Sequence, residues 1–404
     1  MLRRLLKISV ALGAIGSLAL AALLAFLWYE HIRPLVLPVP TGHFAVGRVT
    51  YKWVNDAVPE PLSPSGAEKE TVVAWMWYPA QLSTQSQHAE YFPSAWQAAL
   101  AHRSGVLMTD FFTRDLSSVQ VHSVLNAPVS PEQTSYPIVI VRAGASAFTS
   151  DYTVLAEDLA SHGYIVVGLD APYRTFLVVL PDGRVIERVA TANLDVAGDS
   201  GARLLAEKLL PMWMADINFA LHQLERLNNA DPTGRFTGRF DFERLAALGH
   251  SFGGAQALQF CHEEPRCRAA IDIDGIPFGT VIRDGLSKPG MILLSDHSRE
   301  KADPAAQQIF ADFRSIYVRL PSGYYVTIHG ANHFTFSDQI LLKSRLVVSA
   351  LMAVHGFGHL EPRRGLAITT DYVHTFFDVY LKGAAPWQLA GLAAKYPEVQ
   401  TESH

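Results

Sequence analysis

Gly249-His250-Ser251-Phe252-Gly253 holds the chain's clearest offer of chemistry. It follows the apolar run Leu245–Leu248 and leads into a helix-like stretch. Gly-x-Ser-x-Gly in that setting predicts a sharp strand-to-helix turn that lifts a serine hydroxyl clear of the backbone. Gly249 and Gly253 fit such a turn because a Cβ would obstruct it and the helix–strand packing behind it. A serine hydroxyl is a weak nucleophile. It needs a base to take its proton and an acid to orient that base. In a parallel sheet of this kind the acid follows the serine in the chain and the histidine follows the acid.

The base candidate is His333, in Thr327-Ile328-His329-Gly330-Ala331-Asn332-His333-Phe334. It lies past the last strand and a Gly-containing turn, where a loop can return over the serine. His329, at the strand end, is the competitor, with a structural role expected. The acid has two candidates. Asp274 ends Ile271-Asp272-Ile273-Asp274-Gly275, and Asp296 follows Met291–Leu294. Both stand at the carboxyl ends of strands, where sites in open α/β sheets collect, and position alone does not separate them. Asp272 lies deeper in its strand and is expected to be structural. A developing oxyanion needs two backbone N–H donors. Phe252, next after the serine, supplies one. The small residues of Arg142-Ala143-Gly144-Ala145-Ser146 point to Ala145 for the other, with Gly144 behind it.

Alternating strands and helices must position these groups. Strands are expected at Phe44–Trp53, Thr71–Tyr78, Ile138–Val141, Ile165–Leu169, Leu245–Leu248, Ala270–Ile273, Met291–Leu294 and Tyr324–Ile328. The first two should pair antiparallel. The later apolar runs suit parallel strands covered on both faces. Helices are expected at Tyr152–His162 and Leu204–Leu227. Val373, Phe376, Phe377, Tyr380 and Leu381 mark one face of a final helix. Gln81–Ser130 reads as an insertion with helical pieces, and Val179–Gly201 as a polar excursion. Both are expected as cap or rim elements over the site.

The 404-residue chain has 49% hydrophobic residues and a net charge of −5, which fits a globular protein and offers nucleic acid no basic stripe. Its start differs. Arg3, Arg4 and Lys7 precede an uncharged stretch, Ile8–Tyr29, long enough to cross a bilayer. Trp28 and Tyr29 stand where an interfacial aromatic belt would be. Residues 1–33 therefore read as a signal-anchor, with a cleaved signal peptide ending near Ala19-Leu20-Ala21 as the rival. Either puts the remainder outside the cytoplasm, periplasmic or extracellular, and cleavage would make it secreted. Residues 34–43 read as a linker and 44–404 as the catalytic domain, with the insertion at 81–130. Cys261 and Cys267 are the two cysteines, and an exported chain can join them in a disulfide. With only His262 nearby they make a poor zinc site.

Several of these segments resemble the platelet-activating factor acetylhydrolase family of serine esterases. Pro40-Thr41-Gly42-His43-Phe44-Ala45-Val46-Gly47 is similar to the family's opening, and Trp77-Tyr78-Pro79-Ala80 to its Trp-Tyr-Pro strand end. Asp158-Leu159-Ala160-Ser161-His162-Gly163-Tyr164-Ile165-Val166 resembles the text before the next strand. Gly249–Gly254 matches the elbow. Ile273-Asp274-Gly275 and Gly330-Ala331-Asn332-His333-Phe334 fall where the family keeps its acid and histidine. Where the family often has His-Gly before the oxyanion donor, this chain has Ala143-Gly144.

The resemblance implies an α/β-hydrolase fold, with a mostly parallel eight-stranded sheet and helices on both faces. It selects Asp274 over Asp296. It further implies a carboxylic ester hydrolase that needs no metal or cofactor and cleaves short or oxidised sn-2 acyl esters of phospholipids. The N-terminal segment makes this an expected exported member of bacterial type. Broader esterase action on small esters, lactones or polyesters is the alternative. A non-catalytic binding module at the membrane is a third reading, disfavoured because no position of the triad is empty. The expected partners are the ester substrate and the membrane, with no nucleic acid and no obligate protein partner.

Overall fold

A computed structural model describes residues 2–194, 198–298, 303–344, 346–350 and 358–404. One large mixed sheet carries the site. Its strands are β1 (Leu35–Val36), β2 (Ala45–Pro59), β3 (Lys69–Ala80), β4 (His88–Glu90), β5 (Val119–Leu125), β6 (Tyr136–Arg142) and β7 (Ile165–Asp170). A separate hairpin, β8 (Leu177–Val179) and β9 (Val185–Glu187), interrupts the series. The sheet resumes with β10 (Phe240–His250), β11 (Cys267–Ile273), β12 (Gly290–Leu294), β13 (Gly323–Ile328) and β14 (Val399–Ser403). The order is β1-β5-β2-β3-β7-β6-β10-β11-β12-β13-β14, with β4 paired to β5. Along that path β7, β6, β10, β11, β12 and β13 run parallel to one another, while β2–β3, β3–β7 and β13–β14 pair antiparallel.

All eight expected strands are present, but the sheet has twelve. The expected linker adds β1, which pairs with β5, and Leu37 continues it by donating its N–H to the Gln120 carbonyl at 3.1 Å. Gln81–Ser130 contributes β4 and β5 to the sheet edge as well as helix α2 (Ser94–Ser104). The expected final helix, Pro362–Lys382, is followed by Trp387–Lys395 and the edge strand β14. These extra strands are short or lie at the edge. Partial burial weakens their alternation, so periodicity hid them.

Alternation within the central strands builds two cores. Ile138 and Ile140 of β6, with Leu245 and Ala247 of β10, pack in one core with α4 (Gly198–Ala230) and α5 (Phe252–Glu263). Val139, Val141, Ala246 and Leu248 face the other way, toward α3 (Thr153–Ser161) and the helix Pro362–Lys382. The period of two along a strand thus divides one apolar run between two helical layers. The connection after β6 leads to β7 on one side, and that after β10 to β11 on the other. The carboxyl ends of β6 and β10 therefore flank a topological switch point, the crevice where ligands of open α/β sheets bind.

The N-terminal helix α1 spans Leu2–Ile32. Residues Arg3–Ile32 are long and apolar enough to cross a membrane, and the most apolar window is only 6% buried against the protein. Its last turns are different. Leu27 and Glu30 are buried, Ser344 Oγ donates to Glu30 Oε2 at 3.0 Å, and Arg114 Nη1 donates to the Glu30 carbonyl at 3.1 Å.

Candidate active site

Ser251 lies between β10 and α5 with φ 57° and ψ −130°, a left-handed backbone that side chains rarely adopt. Close packing leaves the chain no slack to relax it. A Cβ on Gly249 would overlap the Gly253 carbonyl, one on Gly253 the Arg142 carbonyl, and one on Gly254 the Asp272 carboxyl. The Ser251 N–H donates to the Ile273 carbonyl at 2.9 Å, which fixes the elbow against β11. Such a strained turn holds the hydroxyl out in the cavity.

Asp274 is the first residue past β11 and also has positive φ, 50°. Its carboxylate is fully buried and takes four donors. His333 Nδ1 lies 2.8 Å from Oδ2, His297 Nε2 lies 2.8 Å from Oδ1, and Ser295 gives its N–H at 2.8 Å and its Oγ at 2.9 Å. Burial alone would push this carboxyl up. The hydrogen bonds and charge of His297 and His333 outweigh burial and hold it well below the ordinary carboxylate range. Asp272, two residues earlier in β11, differs. Burial pushes it up to about 8, against the donation of the Gly275 N–H to its Oδ1. It is a neutral brace for the turn that aims Asp274.

The second pair of candidates is also brought together, but elsewhere. Asp296 Oδ2 accepts the Gly330 N–H at 2.9 Å, and its carboxylate lies 3.9 Å from His329 Nδ1. Asp296 supports the turn leading to His333 and makes no bond to that ring among the described residues. Asp274 thus meets His333, and Asp296 meets His329.

Ser251 and His333 line one cavity of about 240 Å³, together with Gly144, Ala145 and Tyr152. Among the described residues the Ser251 hydroxyl makes no hydrogen bond, and catalytic hydrogen bonds are often long until substrate is bound. Ala145 lines the cavity, and Phe252 follows Ser251 directly in the chain. Among the described residues, the Phe252 N–H at the first turn of α5 and the Ala145 N–H have no partner within the chain. The Gly144 N–H is already used, donating to Tyr152 Oη at 3.2 Å. Ala145 is therefore the better-placed second donor. Arg188, just after β9, donates to the Ala145 carbonyl at 2.8 Å and holds the following peptide from outside.

Sequence reasoning missed four supports: His250, Tyr152, Arg188 and His297. His250 Nε2 lies 2.8 Å from the His333 carbonyl, so that nitrogen carries the proton. Its Nδ1 then accepts from the Tyr152 hydroxyl at 2.8 Å. One relay thus ties the oxyanion loop to the histidine loop. Burial, and secondly the nearby His333, push His250 down to about 3, so the ring is neutral at working pH. The unfolded chain would protonate it near the ordinary value of about 6.5. The folded value is the lower, so the stability from His250 is complete above that pH and is lost as pH falls. At pH 4.5 the loss relative to pH 7.5 should be about 2–3 kcal/mol. Thermal melts at the two pH values should show a smaller acid penalty for His250→Gln than for the parent chain. An equal penalty would contradict the assignment.

His297 is the second imidazole on Asp274. It had no signal in the sequence beyond following Asp296. Removing it should leave the carboxylate freer to hold the His333 proton. His297→Ala is expected to lower kcat roughly tenfold and move the acidic limb of kcat/KM to higher pH, with His297→Gln partly restoring both. An unmoved pH profile would make His297 a packing residue.

Away from the cavity, Asp158, His162 and His374 bring ligand atoms within 4.8 Å of one another. Asp158 Oδ1 accepts the Thr41 N–H and hydroxyl at 2.9 and 2.7 Å, and His374 Nδ1 lies 2.8 Å from Oδ2. This cluster clamps the segment before β2 onto α3. Cys261 and Cys267 form a disulfide between α5 and β11.

The chain is similar to several known proteins. A probable 1-alkyl-2-acetylglycerophosphocholine esterase of Arthroderma benhamiae is 26% identical over 65% of this chain and 65% of its own length. The platelet-activating factor acetylhydrolase of Cavia porcellus is 24% identical over 57% of this chain and 54% of its own. A cutinase of Thermobifida alba, est2, is 24% identical over 50% of this chain and 54% of its own. The chain thus matches between about half and two thirds of these relatives' lengths. Among solved structures, a ferulic acid esterase from Streptomyces cinnamoneus superposes with TM-score 0.70 and 25% identity, covering 91% of this chain and 99% of that one. The family model for platelet-activating factor acetylhydrolase, isoform II, matches residues 35–172 and 211–385. That match spans most of the chain and includes Ala145, the Ser251 elbow, Asp274 and the His333 loop, so the chain belongs to the platelet-activating factor acetylhydrolase, isoform II, family.

Proposed function

We propose that this chain is a serine ester hydrolase that works through an acyl-enzyme. Ser251 attacks the ester carbonyl while His333 takes its proton. Asp274 holds the ring with Nδ1–H toward it and stabilises the imidazolium. The Phe252 and Ala145 N–H groups receive the oxyanion. His333 then protonates the leaving alcohol, and water repeats the sequence to release the acid. The observation that carries this reading is the buried Asp274 carboxylate on His333 Nδ1, with the left-handed Ser251 in the same cavity.

The relatives' names favour a short sn-2 acyl ester of a glycerophospholipid as substrate. We place the catalytic domain at residues 44–404, after the linker at 34–43, and read α1 as an uncleaved anchor that leaves the domain outside the cytoplasm. A broader carboxylesterase is the second reading, favoured by the cutinase and ferulic acid esterase likenesses. Hydrolysis of short sn-2-acyl phosphatidylcholine beside p-nitrophenyl acetate, with chelator present, tests both. Turnover of each, lost in Ser251→Ala, supports the phospholipid reading. Turnover of the small ester alone moves the function to a general esterase, and turnover of neither removes the enzyme reading.

A further inference from the structure

Three metal-ligating side chains meet at the C-terminal end of α3, and the proposed mechanism uses none of them. Asp158 and His162 stand four residues apart, so helical geometry brings them to one face. His374 comes from the helix Pro362–Lys382. Its ring stacks on that of His162, with centroids 3.9 Å apart and planes inclined by 17°. One ligand atom from each of Asp158, His162 and His374 lies within 4.8 Å of the others. None of the three lines the catalytic cavity.

The hydrogen bonds show where each proton sits. The Thr41 hydroxyl donates to Asp158 Oδ1 at 2.7 Å, so its oxygen is left to accept from His162 Nε2 at 2.9 Å. His374 Nδ1 lies 2.8 Å from Asp158 Oδ2 and donates to it. A carboxylate, two imidazole nitrogens and a hydroxyl thus converge. A metal ion among them needs each ring to carry its proton on the other nitrogen. For His162 that nitrogen is Nδ1, which lies 3.9 Å from Asp378 Oδ2. The Tyr164 hydroxyl donates to Asp378 Oδ1 at 2.7 Å, and Lys382 Nζ reaches the same oxygen at 2.9 Å, so Oδ2 is left toward the ring. A carboxylate behind a histidine is the arrangement that orients metal-bound imidazoles and raises their basicity. Solvent reaches the cluster, since the His162 and His374 side chains are 20% and 13% exposed.

We propose that Asp158, His162, His374 and the Thr41 hydroxyl hold one Zn²⁺ ion, which joins the segment before β2, α3 and the helix Pro362–Lys382. The ligand types choose the metal. Two imidazoles and one carboxylate suit zinc, whereas calcium takes about six to eight oxygens. Ligands of a tetrahedral zinc ion stand about 3.3 Å apart at bond lengths of about 2.0–2.1 Å, so small side-chain rotations close this cluster. Each ring stays neutral and only moves its proton from one nitrogen to the other. The role is structural, because four protein ligands leave no open position for a substrate. The inference is independent of the esterase reading.

The test uses the full chain in detergent, stripped with a chelator and then freed of it. Zinc is titrated against a chromogenic competitor. One tight zinc per chain is expected. Affinity should fall at least a hundredfold in His374→Gln, which keeps a donor toward Asp158 but loses the ring nitrogen. Asp378→Asn should weaken binding about tenfold. Zinc at about a hundred times its dissociation constant should raise the melting temperature of the parent by about 3 °C and leave that of His374→Gln unmoved. Co²⁺ in place of zinc should give the strong visible absorption of a four-coordinate site. Absence of tight zinc overturns the proposal. Equal affinity in the parent and His374→Gln also overturns it and assigns the metal to surface histidines. A pale six-coordinate cobalt spectrum of the parent overturns it even where His374→Gln does not fold.

Discussion

Ser251→Ala should lower kcat on p-nitrophenyl acetate by about 10⁵–10⁶-fold while the protein still folds. The hydroxyl is the only group removed, and among the described residues it makes no hydrogen bond on which the fold depends. The strained backbone is retained, since the elbow is held by the Ser251 N–H to Ile273 and by glycines packed against carbonyl groups and a carboxyl. The remaining rate should still exceed that of water by about 10³–10⁴-fold, because the free Phe252 and Ala145 donors persist. Unchanged near-ultraviolet circular dichroism, with kcat reduced to that residue, is the expected pair of observations. A variant keeping a hundredth of the parent rate would remove Ser251 from the role of nucleophile.

Asp274→Asn should cost about 10⁴-fold in kcat, and Asp296→Asn less than about tenfold. The physical difference lies in what each carboxylate holds. Every donor around Asp274 points inward: two imidazoles, an N–H and a hydroxyl. An amide NH₂ there would face another donor and favour the wrong tautomer of His333. Asp296 takes backbone donors from Ser298 and Gly330. Its loss would loosen the turn that presents His333 without changing that ring's proton. Parallel kcat measurements on the two variants decide the matter, and similar losses would refute the assignment of Asp274 as the orienting acid.

The sequence by itself determined the elbow, the central strands and the position of the histidine loop. These depend on local rules: a glycine where no Cβ fits, apolar runs buried on both faces, and a fixed chain order of acid and base. It could not choose between Asp274 and Asp296 by position, because both follow parallel strands and both have a histidine within reach. The family resemblance favoured Asp274. The tertiary structure pairs Asp274 with His333 and Asp296 with His329, since only three-dimensional register shows which loop crosses which strand end. The His250–Tyr152–Gly144 relay was invisible for the same reason. Its members lie 98 and 8 residues apart in sequence and meet only when β6 and β10 stand side by side. The edge strands and the Asp158–His162–His374 cluster belong to this class too. Short, partly exposed segments carry little periodicity, and such a cluster exists only between elements that the fold has already brought together.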